Sequence, residues 1–176
     1  MTADTIAQIK GALGQCCRII DQTQNFSNEN WTETVKALLG DLGKALGYRI
    51  CASTKEKRYD AEWLYDLVWF KENSAGYLIE VPLAMECEWK HPMRDIKFDF
   101  EKLLLAKSPI KLMICEASAT TIPAYLAYFQ AAIDHCPFVV KDEVFVIAIL
   151  QLVGQDPDGI QYFELSKKED RASGPH

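Results

Sequence analysis

A short run near the middle of the chain, Leu-Ala-Met-Glu-Cys-Glu-Trp-Lys at residues 83–90, constrains this chain more than any other feature. It reads as a buried β-strand whose last residues carry acids and a lysine. Because a strand points alternate residues to opposite faces, Glu86, Glu88 and Lys90 share one face. Two carboxylates and an ammonium on an apolar strand are costly unless they are paired or bind a metal ion. The run therefore predicts a polar network or a metal site.

A second apolar segment, upstream of the first, carries one acid in its middle. Residues 62–70 read Glu-Trp-Leu-Tyr-Asp-Leu-Val-Trp-Phe, with Asp66 at the centre. If the two strands are neighbours, Asp66, Glu88 and Lys90 converge at one place on the sheet. Carboxylate oxygens are the ligands that Mg²⁺ and similar hard cations prefer. The two segments together predict a divalent-metal site with a lysine beside it.

The composition is that of an ordinary globular protein, with 49% apolar and 25% charged residues in a chain of 176. No apolar run is long enough to span a bilayer, and the N-terminus lacks the order of a signal peptide. We therefore expect one domain over residues 1–176, with a polar tail after about residue 167, in the cytoplasm and away from membranes. The net charge of −6 argues against a broad basic surface for nucleic acid, although a local basic groove stays open.

The cysteines and histidines do not have the spacing of a zinc site. Six cysteines are present, none in a C-x-x-C pair, and the three histidines are scattered. Most of the cysteines stand in apolar segments, where a free cysteine behaves as a small hydrophobic residue. We expect reduced core cysteines and no zinc centre.

Hydrophobic periodicity predicts an α/β protein with a mixed β-sheet flanked by helices. The segment 77–115 reads strand, helix, strand and can supply one parallel crossover, whereas the earlier strands can form a meander. Pro82 inside the third strand predicts a bulge or an edge segment. Asp156-Pro157-Asp158-Gly159 predicts a hairpin turn. The predicted helices are 4–22, 31–46, 93–106 and about 120–135, and the predicted strands are 48–53, 62–70, 77–90, 110–115, 144–153 and 160–165.

This order of elements, with an acid on the second strand and Glu-x-Lys on the third, resembles the PD-(D/E)XK nuclease superfamily. The matching residues are Asp66 and the run Glu88-Trp89-Lys90, and the similar region covers about residues 31–116. Tyr65 precedes the acid where the family name has proline. The resemblance implies a restriction-endonuclease-like αβββαβ core. The N-terminal helix and the C-terminal helix and hairpin would be additions to it.

The resemblance also implies roles for particular residues. Asp66 and Glu88 would ligate Mg²⁺ or Mn²⁺, and the main-chain carbonyl of Trp89 would complete the site. Lys90 would orient the attacking water or help to deprotonate it. Glu33, near the start of the first core helix, is the candidate for a further catalytic acid.

Four other side chains are weaker candidates. Asp41 is the alternative to Glu33 on the first core helix. Glu86 shares the face of Glu88 and would either support the metal ligands or replace one of them. Lys97 and Lys102, on the helix that follows, could contact phosphate.

We predict a metal-dependent nuclease that hydrolyses phosphodiester bonds, with DNA as the first candidate substrate and RNA as the other. A homodimer or a protein partner stays open. One alternative is a catalytically inactive protein that keeps this fold as a binding or assembly module. Another is an unrelated α/β protein in which Asp66 faces solvent, Glu86, Glu88 and Lys90 form an exposed strand face, and Glu33 only complements a helix dipole.

Overall fold

The computed structural model describes residues 2–89, 93–151 and 159–168. In these ranges the chain forms a six-stranded mixed sheet flanked by four helices, so the predicted α/β class is confirmed. Lys90, the turn residues Asp156 to Asp158 and most of the tail after residue 167 lie outside the described residues. In chain order the elements are α1 (Thr2–Thr23), α2 (Asn28–Ala45), β1 (Arg49–Cys51), β2 (Leu67–Glu72), β3 (Leu78–Glu88), α3 (Met93–Leu105), β4 (Ile110–Ala117), α4 (Ile122–His135), β5 (Val144–Gln151) and β6 (Ile160–Leu165).

The strands lie side by side in the order in which they occur in the chain. β1, β2 and β3 form an antiparallel meander, β3, β4 and β5 run parallel, and β6 returns antiparallel to β5. The predicted crossover from β3 through α3 to β4 is present, and α4 makes a second one between β4 and β5. β4 is central and almost wholly buried, as expected for a parallel strand covered on both faces.

Alternation along the strands builds two separate cores. Leu83 and Met85 of β3 face the core under α1 and α2, whereas Ala84 faces the core under α3 and α4. Leu112 and Met113 of β4 divide between the same two cores. The residues of β3 therefore reach different helices according to whether their number is odd or even, and this decides the surroundings of the acids on that strand.

The polar connection between the first two helices is shorter than the predicted helix bounds, 4–22 and 31–46, leave for it. α1 continues to Thr23 and α2 begins at Asn28. Ser27 explains the early start of α2, because its hydroxyl accepts a hydrogen bond from the backbone N–H of Asn30 and caps the helix.

The second strand is shorter than predicted, and its start changes the position of Asp66. β2 begins at Leu67, so Asp66 precedes the strand instead of lying in its middle. β1 spans three residues and pairs with residues 68–70, so the predicted strand residues 62–66 lie outside the ladder. In that segment Glu62 and Asp66 bind a helical lysine, Lys36.

The predicted irregularity at Pro82 is confirmed. β2 and β3 pair at Trp69 and Leu83, but the next pair joins Lys71 to Glu80, so the register shifts between them. Two residues of β3, including Pro82, stand opposite one residue of β2, as in a β-bulge. A bulge accommodates proline because proline has no N–H to give to the ladder.

All six cysteines are free; four are buried and two are partly buried. None of the helices in the described ranges is long and apolar enough to cross a membrane.

Two helical glycines give a matched test of this packing. A Cβ atom on Gly43 would lie 2.6 Å from Nε1 of the buried Trp69 and 2.5 Å from Cδ1 of Ile50, whereas one on Gly11 meets nothing within 4 Å. We expect Gly43→Ala to lower the free energy of unfolding by about 1–3 kcal/mol, because the core must shift.

Gly11→Ala should instead raise it by roughly 0.5–1 kcal/mol, since alanine is the better helix former and the site is open. Urea denaturation of the two variants and the wild type checks this. Equal effects of the two substitutions would contradict the close approach of α2 to β1 and β2.

Candidate functional site

The start of β2 and the end of β3 bring two carboxylates together. Leu67 pairs with Met85 in the antiparallel ladder, so Asp66 comes alongside the next residues of β3, Glu86 and Cys87. The backbone N–H of Cys87 donates to Oδ2 of Asp66 at 2.9 Å, and the Cys87 thiol lies 3.4 Å from the same oxygen. The side chain of Asp66 is therefore fixed against the end of β3.

Glu86 is buried, with 1% of the residue exposed, and it faces α3. Nζ of Lys102 on α3 lies 2.6 Å from Oε1 of Glu86 and 3.0 Å from Oδ1 of Asp99. Although the ammonium is this close, Oε1 receives no hydrogen bond of good geometry from the described residues. The contact is thus a close approach of the ammonium to a carboxyl oxygen that lacks a well-aligned hydrogen bond.

Burial controls the protonation of Glu86. It raises the pKa of this carboxyl from 4.5 to about 8, and the carboxylates of Asp66 and Asp99 act in the same direction. The hydrogen-bonding and charge effects of Lys102 lower the pKa but do not outweigh burial. Burial lowers the pKa of Lys102, but Glu86 and Asp99 more than offset it, so that pKa is raised.

A second lysine holds Asp66 from the opposite side of the sheet. Lys36 of α2 is 4% exposed, and its Nζ lies 2.9 Å from Oε2 of Glu62 and 3.2 Å from Oδ1 of Asp66. Burial lowers the pKa of Lys36, but the two acids outweigh burial and raise it. Lys36 is therefore a buried cation held by the partly buried Asp66 and the exposed Glu62.

These side chains form one network, which we call the carboxylate–lysine cluster: Asp66, Glu86, Asp99, Lys36 and Lys102. Asp66 is its centre, since it contacts Lys36 directly and raises the pKa of Glu86. Asp66 directly precedes β2. The cluster includes Lys36 from α2 on one face of the sheet and Lys102 from α3 on the other.

The other predicted site residues of β3 and the residues after it are not members of this cluster. Glu88 ends β3, two residues beyond Glu86 and on the same face by strand alternation. Trp89 is buried, packs against Trp31 with ring centroids 5.9 Å apart, and donates its indole N–H to Thr32. The predicted lysine, Lys90, lies outside the described residues.

Glu33 belongs to a different part of the surface. Its Oε2 accepts a hydrogen bond from the backbone N–H of Lys55 at 3.0 Å. It lines a cavity of about 430 Å³, to which Asp41 also contributes. On α2, Thr32 and Lys36 are the residues that contact the ends of β2 and β3.

Lys36 is the residue that the sequence did not indicate. It follows the buried Val35 on α2, but a lysine on an amphipathic helix is ordinarily exposed, so the pattern gives no signal for burial. Lys102 was a candidate only for phosphate contact. Its spacing of three residues from Asp99 was a signal for an ion pair on one helix face.

The residues fit a single hard divalent cation only through a small number of protein ligands. No group of three or more His, Cys, Asp or Glu side chains that could hold a metal ion occurs in the part of the chain that the structure describes. Mg²⁺ needs only one or two carboxylates and keeps several waters. Asp66 and Glu86 supply two, and Glu86 Oε1 is the buried oxygen that lacks a hydrogen bond. Carboxylate oxygens are the type of ligand that Mg²⁺ or Mn²⁺ binds.

Comparison of the chain with protein-family models, curated proteins and solved structures finds no significant match. The resemblance to the PD-(D/E)XK superfamily therefore stays a prediction.

The burial of Lys36 gives the first test of the cluster. Lys36→Met keeps the bulk of the side chain but leaves Glu62 and Asp66 without their cation. We expect the free energy of unfolding to fall by about 1–3 kcal/mol, the range for hydrogen bonds to charged groups. Lys10→Met breaks the exposed pair with Glu164 and should cost about 0–1 kcal/mol. Chemical denaturation at neutral pH compares them, and equal losses would contradict a buried role for Lys36.

The raised pKa of Glu86 predicts a pH dependence of stability. Between pH 4.5 and about 8 the folded chain keeps a proton on Glu86 that the unfolded chain has lost, so stability falls as pH rises through this window. Glu86→Gln mimics the protonated form and removes this loss. In chelator we expect the variant to gain about 1–3 kcal/mol over the wild type between pH 5.5 and 8.5. Urea denaturation at both pH values measures it, and parallel pH profiles of the two proteins would exclude the raised pKa.

Proposed function

We propose that this protein is a metal-dependent nuclease that hydrolyses phosphodiester bonds. The observation that carries the proposal is that Asp66 and Glu86 adjoin the paired residues Leu67 and Met85 of neighbouring strands, with the ammonium of Lys102 2.6 Å from Glu86. Carboxylates for a hard cation and a lysine for phosphate charge are the groups that phosphodiester hydrolysis needs.

The topology supports a restriction-endonuclease-like core as part of the proposal. α2, the meander β1–β2–β3, α3 and β4 follow each other in the order αβββαβ, and β4 is parallel to β3. α1, α4, β5 and β6 would be additions around that core. Asp66 directly precedes β2, and Glu86 and Glu88 lie near the end of the neighbouring β3.

In this proposal the strand register favours Glu86 beside the ligands that the resemblance implies. Asp66 remains the first metal ligand, and the register makes Glu86 its immediate neighbour. Glu88 and the main-chain carbonyl of Trp89 follow along the chain and remain candidate donors in this proposal. A bound Mg²⁺ or Mn²⁺ would neutralise phosphate charge and lower the pKa of a water.

The protein's own side chains would position these groups. Lys36 and the backbone N–H of Cys87 hold the carboxylate of Asp66 in one orientation. Lys102, which is partly exposed, would stabilise charge that develops on the phosphate when Glu86 turns to a cation. Lys90 remains the predicted residue for orienting water, and Glu33 a predicted acid on α2.

A second candidate is an inactive protein that keeps this fold as a binding or assembly module. The observation that favours it is the existing pairing, since Lys36 and Lys102 already neutralise Asp66 and Glu86. The nuclease ranks first because a buried ion pair adds little to stability compared with apolar residues of similar size. A purely structural role does not explain why Asp66 and Glu86 both occupy this part of the sheet.

Cleavage of a panel of single- and double-stranded DNA and RNA, with Mg²⁺, Mn²⁺ or chelator, tests the proposal. We expect metal-dependent cutting that falls at least about 100-fold in Asp66→Asn and Glu86→Gln, because each removes a negatively charged ligand. Lys90→Ala tests the predicted lysine in the same assay. Glu164→Gln, which changes an exposed acid on β6, is the matched control and should cut like the wild type.

Two results would overturn the nuclease proposal. One is cutting that persists in chelator or in both carboxylate variants, because the activity would then arise elsewhere. The other is a folded wild-type protein that cuts no member of the panel with either metal, which favours the binding module.

A further inference from the structure

An exposed aromatic ring lies directly beside the carboxylate–lysine cluster. Phe98 on α3 is 66% exposed, and Nζ of Lys102 lies 5.9 Å from the centre of its ring. The same Nζ lies 2.6 Å from Oε1 of Glu86. The ring of Phe98 is thus separated from the proposed metal ligand by one ammonium group.

The fold does not use Phe98 for its core. Two residues along the same helix, Phe100 is fully buried and packs on Phe129, with ring centroids 4.3 Å apart. Phe98 points away from this core and presents its ring to solvent. Covering the exposed ring with a binding partner would remove apolar surface from water, which is favourable.

The neighbours of Phe98 along the helix are cationic. Arg94, Phe98 and Lys102 are four residues apart and form one stripe on α3, at an axial spacing of about 6 Å. Arg94 is exposed and contacts Asp95 at 3.1 Å, and Lys102 contacts Asp99 at 3.0 Å. These acids leave the helix close to neutral, so the stripe is a local feature and not a broad basic surface.

The remaining charged pair of α3 lies on a different stripe. Lys97 contacts Glu101 at 3.6 Å, and its ammonium lies 5.6 Å from the ring of Tyr128 on α4. Lys97 thus lies near α4. The cations on the stripe that contains Phe98 are Arg94 and Lys102.

We infer that the stripe Arg94–Phe98–Lys102 binds single-stranded nucleic acid, with the Phe98 ring stacked on an unpaired base and the two cations on neighbouring phosphates. This inference rests on the proposed function and names its substrate class. Sites for single strands combine aromatic rings that stack on bases with cations that follow the backbone. In a duplex the base faces are covered by their neighbours, so a ring on a helix surface cannot reach them without unstacking.

Unpaired DNA and unpaired RNA share the base faces and phosphates that this stripe would contact. The test therefore measures binding of labelled single-stranded DNA, single-stranded RNA and duplex DNA of equal length to the full chain. Fluorescence anisotropy in chelator at fixed salt keeps the substrate intact and makes the result independent of cleavage. A strand with abasic positions supplies the phosphates without the bases.

The ring variants test whether stacking on Phe98 contributes to binding, and the abasic strand separates that contribution from the contacts to phosphate. Phe98→Ala should weaken single-strand binding roughly 5- to 150-fold, the range for loss of one stacked base, while Phe98→Tyr keeps the ring and the affinity. Phe138→Ala removes a ring that is also 60% exposed but stands before β5, at the other end of the sheet, and should bind like the wild type. The abasic strand should bind the wild type no better than the normal strand binds Phe98→Ala.

The inference is upheld if single strands bind more tightly than duplex and only the loss of the Phe98 ring weakens them. It is overturned if duplex binds more tightly, if Phe98→Ala and Phe138→Ala behave alike, or if no nucleic acid binds. A protein that binds single strands through Phe98 but does not cut with metal would refute the proposed function alone. A protein that cuts duplex with no effect of Phe98→Ala would refute this inference alone.

Discussion

The close contact between Glu86 and Lys102 is the constraint on which the candidate site depends. Strand alternation turns Glu86 into the core under α3, where a carboxylate is costly, and Lys102 is the cation that α3 supplies. This contact joins the sheet to the helix of the β3–α3–β4 crossover. It also brings the remaining members of the network, Asp99 and Asp66, within electrostatic reach of one buried acid.

Asp66 makes the cluster more than a local ion pair. It lies at the point where β2 begins, so its carboxylate is reached by Lys36 from α2 and lies beside Glu86, which faces α3. The segment before it lies outside the ladder, and Glu62 in that segment binds the same lysine.

The sequence predicted the class of the fold and most of its elements, because long apolar strands and periodic helices depend on local pattern. It also predicted that Asp66 and an acid of β3 would converge. It favoured Glu88 through the Glu-x-Lys spacing, whereas the register between Leu67 and Met85, which no local pattern reveals, sets Glu86 beside Asp66. The burial of Lys36 could not be predicted either, since its partners are 26 and 30 residues away along the chain.

The most direct measurement of the central claim is the binding of Mn²⁺, followed by the electron paramagnetic resonance signal of the free ion. The account predicts one Mn²⁺ per wild-type chain and at least about tenfold weaker binding in Asp66→Asn and in Glu86→Gln. Glu164→Gln, the exposed control, should bind like the wild type. Binding that is absent, or that is indifferent to both carboxylates, would contradict the account and leave the cluster a structural network.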